Sequence, residues 1–193
     1  MTPVFTIGYG NRALDRFVRE LAELQIQYLI DIRSNPRSRF KPEFSRPELA
    51  AALKTAGLKY VFMGDALGGR PEDAECYHDG HVQYDVVRQR PYYQAGIQRI
   101  RSAFSQGLRV CLMCSEAKPE NCHRSKLIGV TLDGLGIEVI HIGPGGEQCS
   151  QCEVLAKIQQ AQASLFGDSL MSRKAYRQPG RQQQRELRAE RDS

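Results

Sequence analysis

Leu108-Arg109-Val110-Cys111-Leu112-Met113 runs directly into Cys114-Ser115-Glu116, and Asn121-Cys122-His123-Arg124 follows shortly after. The first six residues form a near-continuous apolar run, the pattern of a strand covered on both faces. A helix is expected from 124 to 135. The unit is therefore a strand that ends in polar and thiol side chains and returns through a loop to a helix. Two residues of the strand, Cys111 and Cys114, stand three apart, so their side chains point to opposite faces of a sheet. Cys111 reads as packing in the interior.

The same unit recurs along the chain. Strands are expected over residues 4–7, 28–32, 59–63, 108–113 and 138–142, with helices between them. Leu14, Phe17, Val18, Leu21 and Leu24 share one face of the first helix. Ser45 with Glu48 three residues on, and Pro47 in the first turn, reads as a capping box that opens the second. Leu49 and Leu53 give that helix its apolar face, and Gly57 stops it. The third starts near Tyr92, carries Tyr93, Ile97, Ile100 and Phe104, and ends at Gly107. A last helix is expected over 153–165. Alternating strands and helices specify an α/β fold with a mostly parallel sheet of about five strands. Residues 64–91 are less regular and long for a loop, which suggests a lid or a small insertion.

With 193 residues, 41% hydrophobic and 25% charged, the chain suits one globular domain. That domain is expected over 1–166, followed by a basic tail over 167–193. From Ser172 onward there are seven Lys/Arg against three Asp/Glu, so most of the net charge of +5 sits there. The body is close to neutral, and total charge gives no argument for a general nucleic-acid surface. The Arg- and Gln-rich stretch from Arg173 reads as disordered or loosely helical. No run approaches the roughly 18 apolar residues of a membrane span, and no signal-peptide pattern precedes Val4. A cytoplasmic protein with reduced cysteines is the expectation, and no membrane partner. Oligomeric state is left open.

In open α/β sheets, ligands bind beyond the carboxyl ends of the strands. The segments that follow the five strands are Gly8-Tyr9-Gly10-Asn11, Arg33 to Phe40, Gly64-Asp65 with Gly68-Gly69, Cys114-Ser115-Glu116 with Cys122-His123-Arg124, and Gly143-Pro144-Gly145-Gly146. Parallel strands would gather these at one rim. Cys114 and Cys122 are the candidate nucleophiles or redox centres, because His123, Arg124 and a helix start favour thiolate. Glu116 and His123 are the candidate acid or base, and Tyr9 a proton donor or stacking face. Arg33, Arg39 and Arg124 are the candidate anion clamp, with Gly8, Gly10, Asn11, Gly68 and Gly69 lining the substrate. Gly143 to Gly146 reads as a plain turn. Cys114, Cys122 and His123 are also the candidate metal ligands. A zinc site from Cys111/Cys114 with Cys149/Cys152 is disfavoured by the opposed faces of the first pair. A cysteine phosphatase would need Arg at 120, where Glu stands.

These strand-end motifs resemble one family. Thr6-Ile7-Gly8-Tyr9-Gly10-Asn11, Asp31-Ile32-Arg33 with Pro36 and Ser38-Arg39-Phe40, Leu67-Gly68-Gly69, and Leu112-Met113-Cys114-Ser115-Glu116 with Cys122-His123-Arg124 are similar, in order, to the domain of unknown function 488. The resemblance covers about residues 2–142, with Ser115 where the family commonly has Ala. It implies a three-layer, Rossmann-like α/β fold and a shared site built from these motifs, and it supplies no substrate. The residues themselves point to an enzyme acting on an anionic, nucleotide or nucleic-acid-like substrate. The alternatives are a metal- or thiol-based redox protein, and a non-catalytic nucleic-acid or protein binding module whose basic tail makes the contact.

Overall fold

The computed structural model describes residues 2–170. Packing along the chain separates Met1–Lys157 from Ile158–Ser193. The expected tail lies, from residue 171 on, outside the described residues.

In chain order the first unit contains strand β1 (Val4–Gly8), helix α1 (Leu14–Glu23), β2 (Tyr28–Asp31), α2 (Arg46–Thr55), β3 (Lys59–Phe62) and α3 (Gly64–Leu67). A small hairpin of β4 (Tyr77–His78) and β5 (His81–Val82) follows, then α4 (Tyr84–Gln89), α5 (Pro91–Ser105) and β6 (Val110–Cys114). A π-helical turn, Arg124–Gly129, runs into α6 (Val130–Gly134), followed by β7 (Val139–Ile142), β8 (Gln148–Ser150) and α7 (Gln151–Leu170). The last helix continues into the second unit, whose described part is its C-terminal stretch.

The main sheet has the order β3-β2-β6-β1-β7-β8. Its first five strands are parallel, and β8 adds an antiparallel edge. The sequence expectation of a parallel, Rossmann-like sheet holds. The sixth strand escaped it because Gln148-Cys149-Ser150 is short and carries no apolar run. Gly143 to Gly146 form the turn into it, with the Gly146 amide donating to the Gly143 carbonyl at 3.0 Å.

Two apolar layers cover the sheet. Phe17, Leu21, Leu49 and Leu53, from α1 and α2, pack with Phe5, Ile7, Cys111 and Met113. Tyr93, Ile97, Ile100, Leu127 and Leu132, from α5, the π turn and α6, pack with Val4, Ile30, Leu112 and Cys114. Alternation along β6 thus sends Cys111 to one layer and Cys114 to the other, as their spacing requires. Each fully buried Leu or Phe contributes about 1.5–3 kcal/mol relative to exposure. Strands β1 and β2 hand the chain to the α1/α2 layer, whereas β6, lying between them, hands it to the opposite layer. Such divergence opens a crevice above the carboxyl ends of neighbouring strands.

The expected capping box at Ser45 does not form. Ser45 does precede α2, but its hydroxyl makes no bond to that helix. It instead accepts from the Ser38 amide at 3.1 Å and so ties down the preceding loop. Residues 64–91, expected as a lid or insertion, hold α3, the β4–β5 hairpin and α4.

Candidate functional site

Cys114 is the last residue of β6, and the chain must turn back for Cys122 to reach it. Backbone bonds hold the turn against β1: the Tyr9 amide donates to Cys114 O at 3.0 Å and the Gly10 amide to Ser115 O at 3.1 Å. Arg124, wholly buried, reaches across to donate from Nη2 to Ala117 O at 2.8 Å. Ser125 Oγ closes the loop by donating to the Pro119 and Cys122 carbonyls. The wide π turn from Arg124 begins here, a feature that recurs at functional sites.

The result is a compact group of three side chains. Cys114 Sγ, Cys122 Sγ and a ring nitrogen of His123 all lie within 4.8 Å of one another. His123 Nδ1 stands 3.7 Å from the Cys122 sulfur and 3.9 Å from that of Cys114. Its other nitrogen, Nε2, donates to the Ile32 carbonyl at 3.1 Å. A carbonyl only accepts, so Nε2 carries a proton and the Nδ1 edge of the ring faces both sulfurs.

Electrostatics favour a single negative charge on this pair, at Cys114. The Cys114 thiol is held well below its ordinary range, first by a hydrogen bond from Cys122 and then by His123 and the Glu116 amide, against the opposing effect of burial. Cys122 is raised, with its bond to Cys114 as the first cause and burial next. Arg124 adds a buried cation beside them. Burial pulls its pKa down, while negative charge on Cys122, Cys114 and Cys111 pushes it up. Its Nε and Nη1 have no hydrogen-bond partner among the described residues. A buried guanidinium with two unpaired nitrogens is stabilised when nearby thiols become thiolates.

A cleft of about 510 Å³ opens over the group, lined among others by Ser34, Asn35, Gly69, Arg70, Tyr84 and Glu116. Glu116 is exposed at its edge. Gly69 lets the histidine in, since a Cβ there would fall 2.7 Å from His123 Cγ and Nδ1. Gly68 makes similar room for the Ser34 hydroxyl.

Other expected residues have different surroundings. Gly8 and Gly10 do not open a path for ligand: a Cβ at Gly8 would meet Glu116 O at 1.7 Å, and one at Gly10 would meet Ala117 Cβ at 2.6 Å. They admit the Cys114–Ala117 loop itself. Tyr9 is buried, stacks on Phe44 with centroids 4.4 Å apart, and donates its hydroxyl to Ser38 Oγ at 3.2 Å. It is not brought to the sulfurs. Arg33 lines the cleft, yet its guanidinium is bound to Asp31, Nε to Oδ1 at 2.9 Å and Nη2 to Oδ2 at 2.6 Å. Arg124 is likewise an internal brace rather than an open clamp. Asn11 and Arg39 are exposed and line neighbouring grooves. Cys149 and Cys152 lie on β8 and α7, away from this group, and every cysteine is a free thiol.

Arg70 and Tyr84 were not singled out by sequence reasoning. Both come from the irregular stretch after Gly64, where no periodicity marks an inward-facing position. Arg70 is exposed and its amide donates to Ser34 Oγ at 2.9 Å. The Tyr84 hydroxyl is raised first by burial and then by negative charge on Cys122 and Cys114.

Among the described residues no helix is long and apolar enough to cross a membrane. Searches of curated proteins and of solved structures returned no match. The family model described as domain of unknown function DUF488 matches residues 13–131, which include β2 through the π turn and all three side chains of the thiol–imidazole group. The match spans more than half of the chain, and the protein belongs to the DUF488 family.

Proposed function

We propose that this protein is a metal-dependent enzyme in which Cys114, Cys122 and His123 hold one zinc-like ion and an anionic substrate enters the cleft above it. The observation that carries this reading is the spacing of the three donor atoms. Tetrahedral zinc, with bonds of about 2.3 Å to sulfur and about 2.0 Å to nitrogen, keeps such ligands about 3.5–3.8 Å apart. The two sulfur–nitrogen separations here are 3.7 and 3.9 Å. A backbone carbonyl on the far nitrogen, as Ile32 provides, is the usual way a metal-binding histidine is oriented. Three protein ligands beside an open cleft leave a fourth position for water or substrate, the arrangement of catalytic rather than structural zinc.

The ion would supply Lewis-acid activation for hydrolysis. Around it, Arg124 favours the thiolate forms of both cysteines. Glu116, at the edge of the cleft, accepts the proton released by the attacking water and returns it to the leaving group. Arg70 offers a cation on the cleft wall for the substrate's negative charge.

Elemental analysis of the full chain, purified with reductant and without chelator, should find about one zinc per chain. Cys114→Ser, Cys122→Ser and His123→Ala should each lose most of it, and cobalt(II) in the native chain should give the intense sulfur-to-metal absorption of a dithiolate site. Absence of both metal and cobalt spectrum would sink the reading. Rapid alkylation of Cys114 in that metal-free chain would then favour a thiolate nucleophile.

A further inference from the structure

We infer that the substrate is a single-stranded nucleic acid, whose base stacks on Phe40 and whose phosphates lie against Arg37 and Arg39. This rests on the proposed anionic substrate and assigns it a chemical class. Phe40 is 97% exposed, the extreme case among the large apolar side chains described. A phenyl ring left in water forgoes about 1.5–3 kcal/mol of burial, which a base stacked on it would recover in part.

Its presentation is rigid. Ser38, two residues before it, is buried and accepts from the Tyr9 hydroxyl at 3.2 Å and from the Lys41 amide at 3.3 Å. The Ser38 amide donates to Ser45 Oγ at 3.1 Å. Lys41, just after it, donates from Nζ to Arg12 O at 2.7 Å. The loop is therefore pinned on both sides of the ring, which faces outward on a held backbone.

One groove is lined by the ring itself, and a second is lined by Arg39, the residue before it. The first, of about 630 Å³, is lined by Phe40, Tyr9, Asn11, Ser115 and Glu116, and it shares Ser115 and Glu116 with the cleft over the sulfurs. The other, of about 700 Å³, is lined by Arg37, Arg39, Arg46 and Glu48. Arg37 and Arg39 are exposed, and neither guanidinium has an ion pair or hydrogen bond among the described residues. Arg46 lies over the Phe62 ring, 5.1 Å from its centroid. Unpaired arginines, an exposed aromatic face and a groove that shares Ser115 and Glu116 with the cleft over the sulfurs make the combination that binds single strands, by backbone charge and sequence-tolerant stacking. A duplex hides its base faces and cannot use Phe40.

The test is fluorescence anisotropy of a short labelled oligothymidine with the full chain, across a salt series. Phe40→Ala should weaken binding roughly 5- to 150-fold, and Phe40→Trp should restore it. Arg37→Ala with Arg39→Ala should reduce the salt slope by about 1.4, the value for two phosphates on a single strand. The duplex form of the probe should bind more weakly than the single strand and ignore the Phe40 change. Equal affinity of Phe40→Ala and wild type would overturn the inference, because binding would then come from charge alone, the basic tail included. Equal binding of single strand and duplex would overturn it as well. Zinc content separates the two proposals. A Phe40 effect in a metal-free protein would keep the substrate and remove the metal centre. A zinc protein indifferent to Phe40 would do the reverse.

Discussion

At Gly69 a single added methyl group would decide where the His123 ring can sit. The Cβ would meet His123 Cγ and Nδ1 at 2.7 Å, closer than van der Waals contact allows. Gly69→Ala should therefore push the imidazole from its place between the sulfurs and the Ile32 carbonyl. Disturbing a ligand's orientation typically lowers metal affinity about 10–100-fold. Competition with a chelating dye should show that loss, with the melting temperature nearly unchanged, and an unaltered affinity would refute this role for Gly69. The sequence marked Gly68 and Gly69 as site residues but could not say what they make room for. Their neighbours, Ser34 and His123, are far away in the chain. Cys111 was different: alternation along a strand is local, so its separation from Cys114 could be read directly.

At the end of β2, Arg33, expected from the sequence as part of an anion clamp, forms a buried pair with Asp31. Asp31 is inaccessible and Arg33 nearly so, and Tyr60 of β3 adds a hydroxyl bond to Asp31 Oδ2 at 2.6 Å. Arg33 also donates to the Phe44 carbonyl at 2.9 Å. Its pKa is opposed first by burial but ends raised through Asp31, while Tyr60 is raised by burial and then by Asp31. The pair braces the β2 end and the loop that carries Phe40. Asp31→Asn would leave a buried guanidinium without its counter-charge, a change that costs about 3–5 kcal/mol. Urea denaturation should show a midpoint lowered accordingly, and a loss below about 1 kcal/mol would mean the charge is not needed there. An exposed arginine loop and a buried ion pair look alike in sequence. The difference lies in Tyr60 and Phe44, which only strand pairing and the docking of α2 bring near.

Across the whole molecule, one polar chain links the sheet to the Cys122 loop. Thr6 Oγ1 of β1 donates to His141 Nδ1 at 2.6 Å, His141 Nε2 donates to Gln151 Oε1 at 2.7 Å, and Gln151 Nε2 donates to Ser125 O at 3.1 Å. Burial, ahead of the nearby Arg124 charge, lowers the His141 pKa from 6.5 to about 4 despite the opposing bond to Gln151. The folded state thus keeps a neutral ring where the unfolded chain takes up a proton. Stability from this residue is complete above pH 6.5 and falls as the pH drops from 6.5 to about 4, with a total of up to about 3 kcal/mol. Subtracting the pH–stability curve of His141→Asn from that of the native chain should isolate this slope. Parallel curves for the two proteins between those limits would remove His141 as its source.

The α/β alternation, the parallel character of the five strands and the gathering of Cys114, Cys122 and His123 beyond the end of β6 were all legible in the order of residues. Each follows from local physics: apolar runs set by burial on two faces, helix period, and the short span between Cys114 and His123. Folding in three dimensions was needed to place β6 between β2 and β1, to turn Arg33 and Arg124 inward, and to seat a loop rather than a ligand against Gly8 and Gly10. It also supplied Arg70 and Tyr84 to the cleft and left Phe40 open to water. These outcomes depend on which distant segments meet. That is settled by packing over the entire sheet, where the partners of a charge or a glycine are not its neighbours in sequence.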